Sequence, residues 1–180
     1  MTSEFNVSVS YATPLRIQIF IYINNKKLII LLLLMIAKWE QTKWLVLSSY
    51  FFIFPSFYAF FYKLYFYFIL LFLTSLISAN FWRIATYSWR RNMDLVFAKI
   101  SFTVFVYNGI IYIKTPFFII ISYSGLFFIF YLYYLSGKLF NEKNFDWVKF
   151  HFLFHIILTF EQFIILYNIL ETKKNYNLLL

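Results

Sequence analysis

The sequence predicts an all-α integral membrane protein: an antiparallel helical bundle of about five transmembrane helices, preceded by a short N-terminal apolar segment. Three observations carry this. The 180-residue chain is 63% hydrophobic and only 13% charged, with mean hydropathy +0.73. Soluble domains are roughly 45–50% apolar and about 25% charged, so this chain has too few charges to cover a water-facing surface. Its apolar runs, such as LYFYFILLFL at 64–73, also show no period-2 alternation, which excludes the polar-in, apolar-out strands of a membrane barrel. Finally, the basic residues gather in short stretches between those runs. The net charge of +9 therefore reads as membrane orientation and not as a nucleic-acid surface.

The 27 Phe and 16 Tyr residues stand against 3 Gly and 3 Pro. A+T-rich codons account for this balance, and no aromatic binding box is read into it. Small residues, the usual packing surface of membrane helices, are scarce. Cysteine is absent, which excludes disulfides and thiolate metal sites.

Residues 1–13 are polar. Residues 14–27 are mildly apolar but are broken by Arg16 and by Asn24-Asn25-Lys26-Lys27. The run 28–37 is fully apolar, yet at ten residues it suits an interfacial helix or a signal-peptide core better than a span of about 20. Met35 offers a second start, which N-terminal peptide mass spectrometry would decide. Residues 1–43 are thus assigned to a polar N-terminus with a short apolar segment.

The bundle is placed over 44–170. Residues 44–82 are apolar apart from Lys63. As a single helix they would reach about 58 Å, roughly twice the hydrocarbon core, so they divide at Lys63 into spans at about 44–62 and 64–85. Pro55 is expected to kink the first. The third span is placed at about 93–112, ended by Lys114-Thr115-Pro116. The fourth, about 116–137, stops at Ser136-Gly137-Lys138; the fifth covers about 147–170; and 171–180 is a polar tail.

Antiparallel threading puts Lys38, Lys43, Arg83, Arg90, Arg91, Lys138, Lys143 and Lys149 on one face, which the positive-inside rule makes cytoplasmic. Lys63, Lys114, Lys173 and Lys174 fall on the other. Ser78, Trp82, Asp94, His151 and His155 then share one depth near the basic face. Each residue also has an ordinary role. His151 and His155, at i and i+4, could share a metal or simply put polar tips at the headgroups. Ser78 could bond its own helix, Trp82 could be an interfacial belt residue, and Asp94 could open a helix where its dipole favours an acid.

Taken together, Ser78, a site residue four positions later, Asp94 at the next helix start and His151-x-x-x-His155 in the last span resemble the membrane hydrolase superfamily of alkaline ceramidases and adiponectin-type receptors. The resemblance covers about 44–170. It implies a seven-helix bundle in which three histidines hold zinc beside a Ser and an Asp. Carried over, it makes His151 and His155 metal ligands, Ser78 an oxyanion donor and Asp94 a general base, acting on an amide-linked, sphingolipid-like substrate from the bilayer. Two departures stand out. Trp82 occupies the first histidine's position, and indole nitrogen is only a donor, so Asp94 is left as the candidate third ligand. A helical hairpin is also missing. The alternatives are a non-catalytic lipid binder, a membrane scaffold or remodelling protein, and a small transport subunit. For the last, the intramembrane Lys99 and Glu161 are the only support, with Lys99 able to snorkel.

Overall fold

The computed structural model describes residues 35–178. Residues 1–34, with the stretch 14–27, most of the apolar segment 28–37 and the question of a start at Met35, lie outside the described residues. The elements are α1 (Trp39–Ser49), a 3₁₀ turn (Tyr50–Phe52), α2 (Ile53–Phe61), α3 (Tyr65–Arg83), α4 (Trp89–Tyr112), α5 (Pro116–Asn141) and α6 (Trp147–Leu178). With α1 and α2 counted as one rod, five helices among the described residues are long and apolar enough to cross a membrane. This is an all-α, multi-pass membrane architecture.

The expected kink at Pro55 takes a specific form. Proline has no N–H to give to the carbonyl of Phe51. The chain tightens to 3₁₀ over Tyr50–Phe52, and Pro55 then sits in the first turn of α2, where its missing donor costs nothing. The rod ends in a Schellman turn. Lys63 is left-handed at φ 59°, its N–H bonds the Phe60 carbonyl, and the Leu64 N–H bonds the Ala59 carbonyl at 2.8 Å. The end of α5 repeats this with Lys143 at φ 57° and the Asn144 N–H on the Leu139 carbonyl at 2.9 Å.

Three boundaries differ from the expectation. α5 runs through Ser136 and Gly137 to Asn141; one glycine costs a helix only about 1 kcal/mol, less than the gain from continued hydrogen bonding. α4 starts at Trp89 and not at 93, so Asp94 is its sixth residue, inside the second turn. The helix-dipole explanation for an acid at the helix start therefore does not apply to it. α6 continues to Leu178, so most of the tail at 171–180 is helical.

α6 is the central element. Half of its apolar window is buried in the protein, against 11% for α5. α1, α2, α4 and α5 all pack on α6, while α3 packs on α1, α2 and α4. α5 lies along α6 and makes few contacts with α4, although only a short turn joins the two. Two apolar clusters sit at opposite ends of the bundle. One gathers Leu71, Phe105, Leu166 and Ile169. The other, at the basic end, gathers Leu45, Phe81, Trp82 and Trp147. There the segment preceding α1 ties to the α3–α4 turn through the Ile36 N–H on the Ala85 carbonyl at 2.8 Å.

Candidate functional site

The polar residues inside the bundle fall on two sides of α6, and the first set lies between α1, α3 and α6. Ser48, Ser49 and Ser75 are fully buried, with Ser78 and His155 4% exposed. Ser48 Oγ is 2.8 Å from His155 Nδ1 and 3.1 Å from the Leu45 carbonyl, so either tautomer of His155 satisfies the pair. Ser49 Oγ lies 2.7 Å from the Leu45 carbonyl and 3.0 Å from Ser78 Oγ. Ser75 Oγ donates to the Ser49 carbonyl across the helix interface at 2.8 Å. Below them, Ser56 Oγ reaches the Phe68 carbonyl of α3 at 3.0 Å. These serines replace the missing glycines: their small side chains let α1 and α2 approach α3 closely, and each hydroxyl finds a partner there.

The expected site residues sit around this seam. Ser78 meets Ser49 on one side and lies beside the half-buried Asp94 on the other. The two imidazoles stack edge to face with ring centroids 4.9 Å apart. His151 Nδ1 is 3.4 Å from Ser136 Oγ of α5, which also donates to the Trp147 carbonyl at 3.2 Å. Trp82 packs edge-on against His151 at 5.2 Å, and its buried Nε1 has no hydrogen-bond partner. The indole thus stands next to His151, where the resemblance asks for a third imidazole. Among the described residues no three His, Cys, Asp or Glu side chains converge to hold a metal. Asp94 lies beside Ser78, which connects towards His155 through Ser49 and the neighbouring Ser48. With their Nδ1 atoms at serines, the two imidazoles keep Nε2 for a metal and supply two of the three protein ligands usual for catalytic zinc.

The second set lies on the opposite side of α6. Because α4 and α5 barely touch, they leave a cavity of about 370 Å³ between themselves and α6. Phe102, Gly109 and Ile113 line its α4 wall, Ser122 its α5 wall, and Glu161 and Gln162 its α6 wall. Phe102 stacks edge to face on Phe130 at 5.7 Å and bridges the two walls towards the basic end. Glu161 is 6% exposed and Gln162 2%. Glu161 lies midway along the apolar stretch Trp147–Asn175, about 21 Å from either end. Among the described residues its carboxylate joins no ion pair. Ser122 Oγ neighbours it without hydrogen-bond geometry, and neither Ser122 Oγ nor Gln162 Oε1 has a partner. Gly125 makes the room: a Cβ there would overlap the Glu161 carboxylate.

No protein-family model, curated protein or solved structure matches this chain.

Antiparallel threading places Ser78, Asp94, His151 and His155 at one depth. The structure brings Ser78 to Asp94, sets the histidines together, and joins the two pairs through Ser48 and Ser49. It also shows that Ser48, Ser49 and Ser136 partner the expected residues. Their only signal in the sequence is a hydroxyl inside an apolar run. Ser122, Gly125 and Gln162 complete the surroundings of Glu161, and nothing in the sequence links them to it. Lys99 is exposed on α4 and does not line the cavity.

Proposed function

We propose that this multi-pass membrane protein binds a lipid-like molecule in the α4–α5–α6 cavity, and that its serine–histidine seam holds the bundle together without performing hydrolysis. One observation carries this reading: the serine hydroxyls and imidazole Nδ1 atoms of the seam have partners, whereas Ser122 Oγ and Gln162 Oε1, which flank Glu161 in the cavity lining, have none. Buried polar groups are normally paired, so an unpaired set in a roomy cavity marks a place for a ligand. The outline of the ceramidase-like hydrolases is retained in Ser78, Asp94, His151 and His155, with the lipid binder as its non-catalytic form. The face bearing Arg83, Arg90, Arg91 and Lys138 is the cytoplasmic one on this reading.

The test is made on purified protein in lipid nanodiscs. Lipid-like molecules should co-purify with the wild type, and Val106→Phe, which narrows the cavity from a lining position on α4, should weaken their retention. Zinc should stay well below one per chain, and His155→Ala should change stability but not amide turnover. Stoichiometric zinc together with turnover that depends on His155 would establish the hydrolytic alternative, with Asp94 as base and Ser78 as oxyanion donor.

A further inference from the structure

The polar end of the cavity is rich in acceptors. The Glu161 carboxyl lies beside Ser122 Oγ, and Ser122 Oγ and Gln162 Oε1 are both without a hydrogen-bond partner, so all three residues can accept. We propose that the cavity takes a membrane-dissolved primary amine, with the ammonium seated on Glu161, Gln162 Oε1 and Ser122 Oγ and the apolar body lying along the α4 wall. The assignment rests on the cavity being the ligand site proposed above, and it adds the chemistry of the head group.

Charge and geometry both select this head. An anionic head would set like charge against Glu161 in a low-dielectric interior. A neutral alcohol brings one donor, whereas an ammonium brings three donors to three acceptors and cancels the carboxylate's charge at the bilayer midplane. Gly125 keeps the carboxylate against the α5 backbone, clear of the space the ligand needs. Lys114 lines the cavity near the α4–α5 turn, where it repels a second cation from that end and leaves Glu161 as the favoured seat. The volume lies in the range of small-molecule pockets, about 300–1,000 Å³. Ile110 and Tyr123 at the rim are 66% and 65% exposed, so the ligand would enter from the lipid.

The experiment uses the full chain in phosphatidylcholine nanodiscs and three photoreactive probes with the same dodecyl chain: a primary amine, an alcohol and a trimethylammonium. Crosslinks are mapped by mass spectrometry to residues 102–126 and 158–165. The amine should label these at least about tenfold more than the alcohol, as expected of a charge-assisted hydrogen bond. The trimethylammonium, with no N–H, should label more weakly than the amine. Glu161→Gln should bring amine and alcohol within about twofold of each other, since it keeps the shape and removes the charge. Equal labelling by amine and alcohol in the wild type would overturn the head-group assignment while leaving the cavity a lipid-like site. No labelling of these segments by any probe would overturn both. If Glu161→Gln fails to insert, competition on the wild type by unlabelled dodecylamine against dodecanol replaces it: stronger displacement by the amine supports the assignment, and equal displacement overturns it.

Discussion

The two sides of α6 solve the same problem in opposite ways. Towards α1 and α3 it presents His155, and a seam of serines meets it; the carbonyls of Leu45 and Ser49 are drawn into the same network. Towards α4 and α5 it presents Glu161 and Gln162; among the described residues Glu161 joins no ion pair, and Gln162 Oε1 and the neighbouring Ser122 Oγ have no partner. The difference follows from packing. Where serines allow helices to touch, polar groups pair with one another. Where α4 and α5 barely touch, polar groups are left beside a cavity. A buried polar residue in a membrane helix is thus glue or a receptor, depending on whether the neighbouring helix comes close.

The largest expected effect breaks the tight side. His155→Ala removes a buried ring and one of the two partners of Ser48 Oγ, and should cost about 2–4 kcal/mol of unfolding free energy. A change under half of that would mean the seam is not a lock. Next is Gly125→Ala, whose methyl group displaces the end of the flexible Glu161 side chain into the adjoining cavity and should cost no more than about 1 kcal/mol. Glu161→Ala in the same chain should recover most of that loss, and a double-mutant cycle showing no coupling would separate the two residues. Ser48→Ala should cost about 1 kcal/mol, since hydrogen bonds between membrane helices are individually modest. The smallest changes lie at the C-terminal end of α5. Lys143→Gly relieves a left-handed lysine, and Gly137→Ala adds a methyl where nothing lies within 4 Å; each should stabilise by about 0.5–1 kcal/mol.

Much of the tight side was legible in the sequence. Apolar run lengths, Lys63 and Pro116 placed the spans, and threading set Ser78, Asp94 and the histidines at one depth. Span ends were less legible, because Ser136-Gly137 looks like a stop, yet the helix runs on through it to Asn141. The seam's serines were hidden for another reason: a serine inside an apolar helix reads the same whether it bonds its own turn, as Thr74 does with the Leu70 carbonyl, or a neighbouring helix, as Ser75 does. The cavity was not legible at all. Glu161 stood out as an intramembrane acid, but the gap around it arises from two adjacent helices failing to pack, which no local pattern records.

The most direct test sets one substitution from each side against the other. In mixed micelles with no added ligand, the unfolding free energies of Glu161→Leu and His155→Leu should change in opposite directions. Leucine in place of a buried carboxyl that joins no ion pair among the described residues should stabilise by about 1 kcal/mol, and in place of the seam's imidazole it should destabilise by about 2 kcal/mol. Losses of similar size from both would show that Glu161 is as fully paired as His155, and the distinction between lock and receptor would fall.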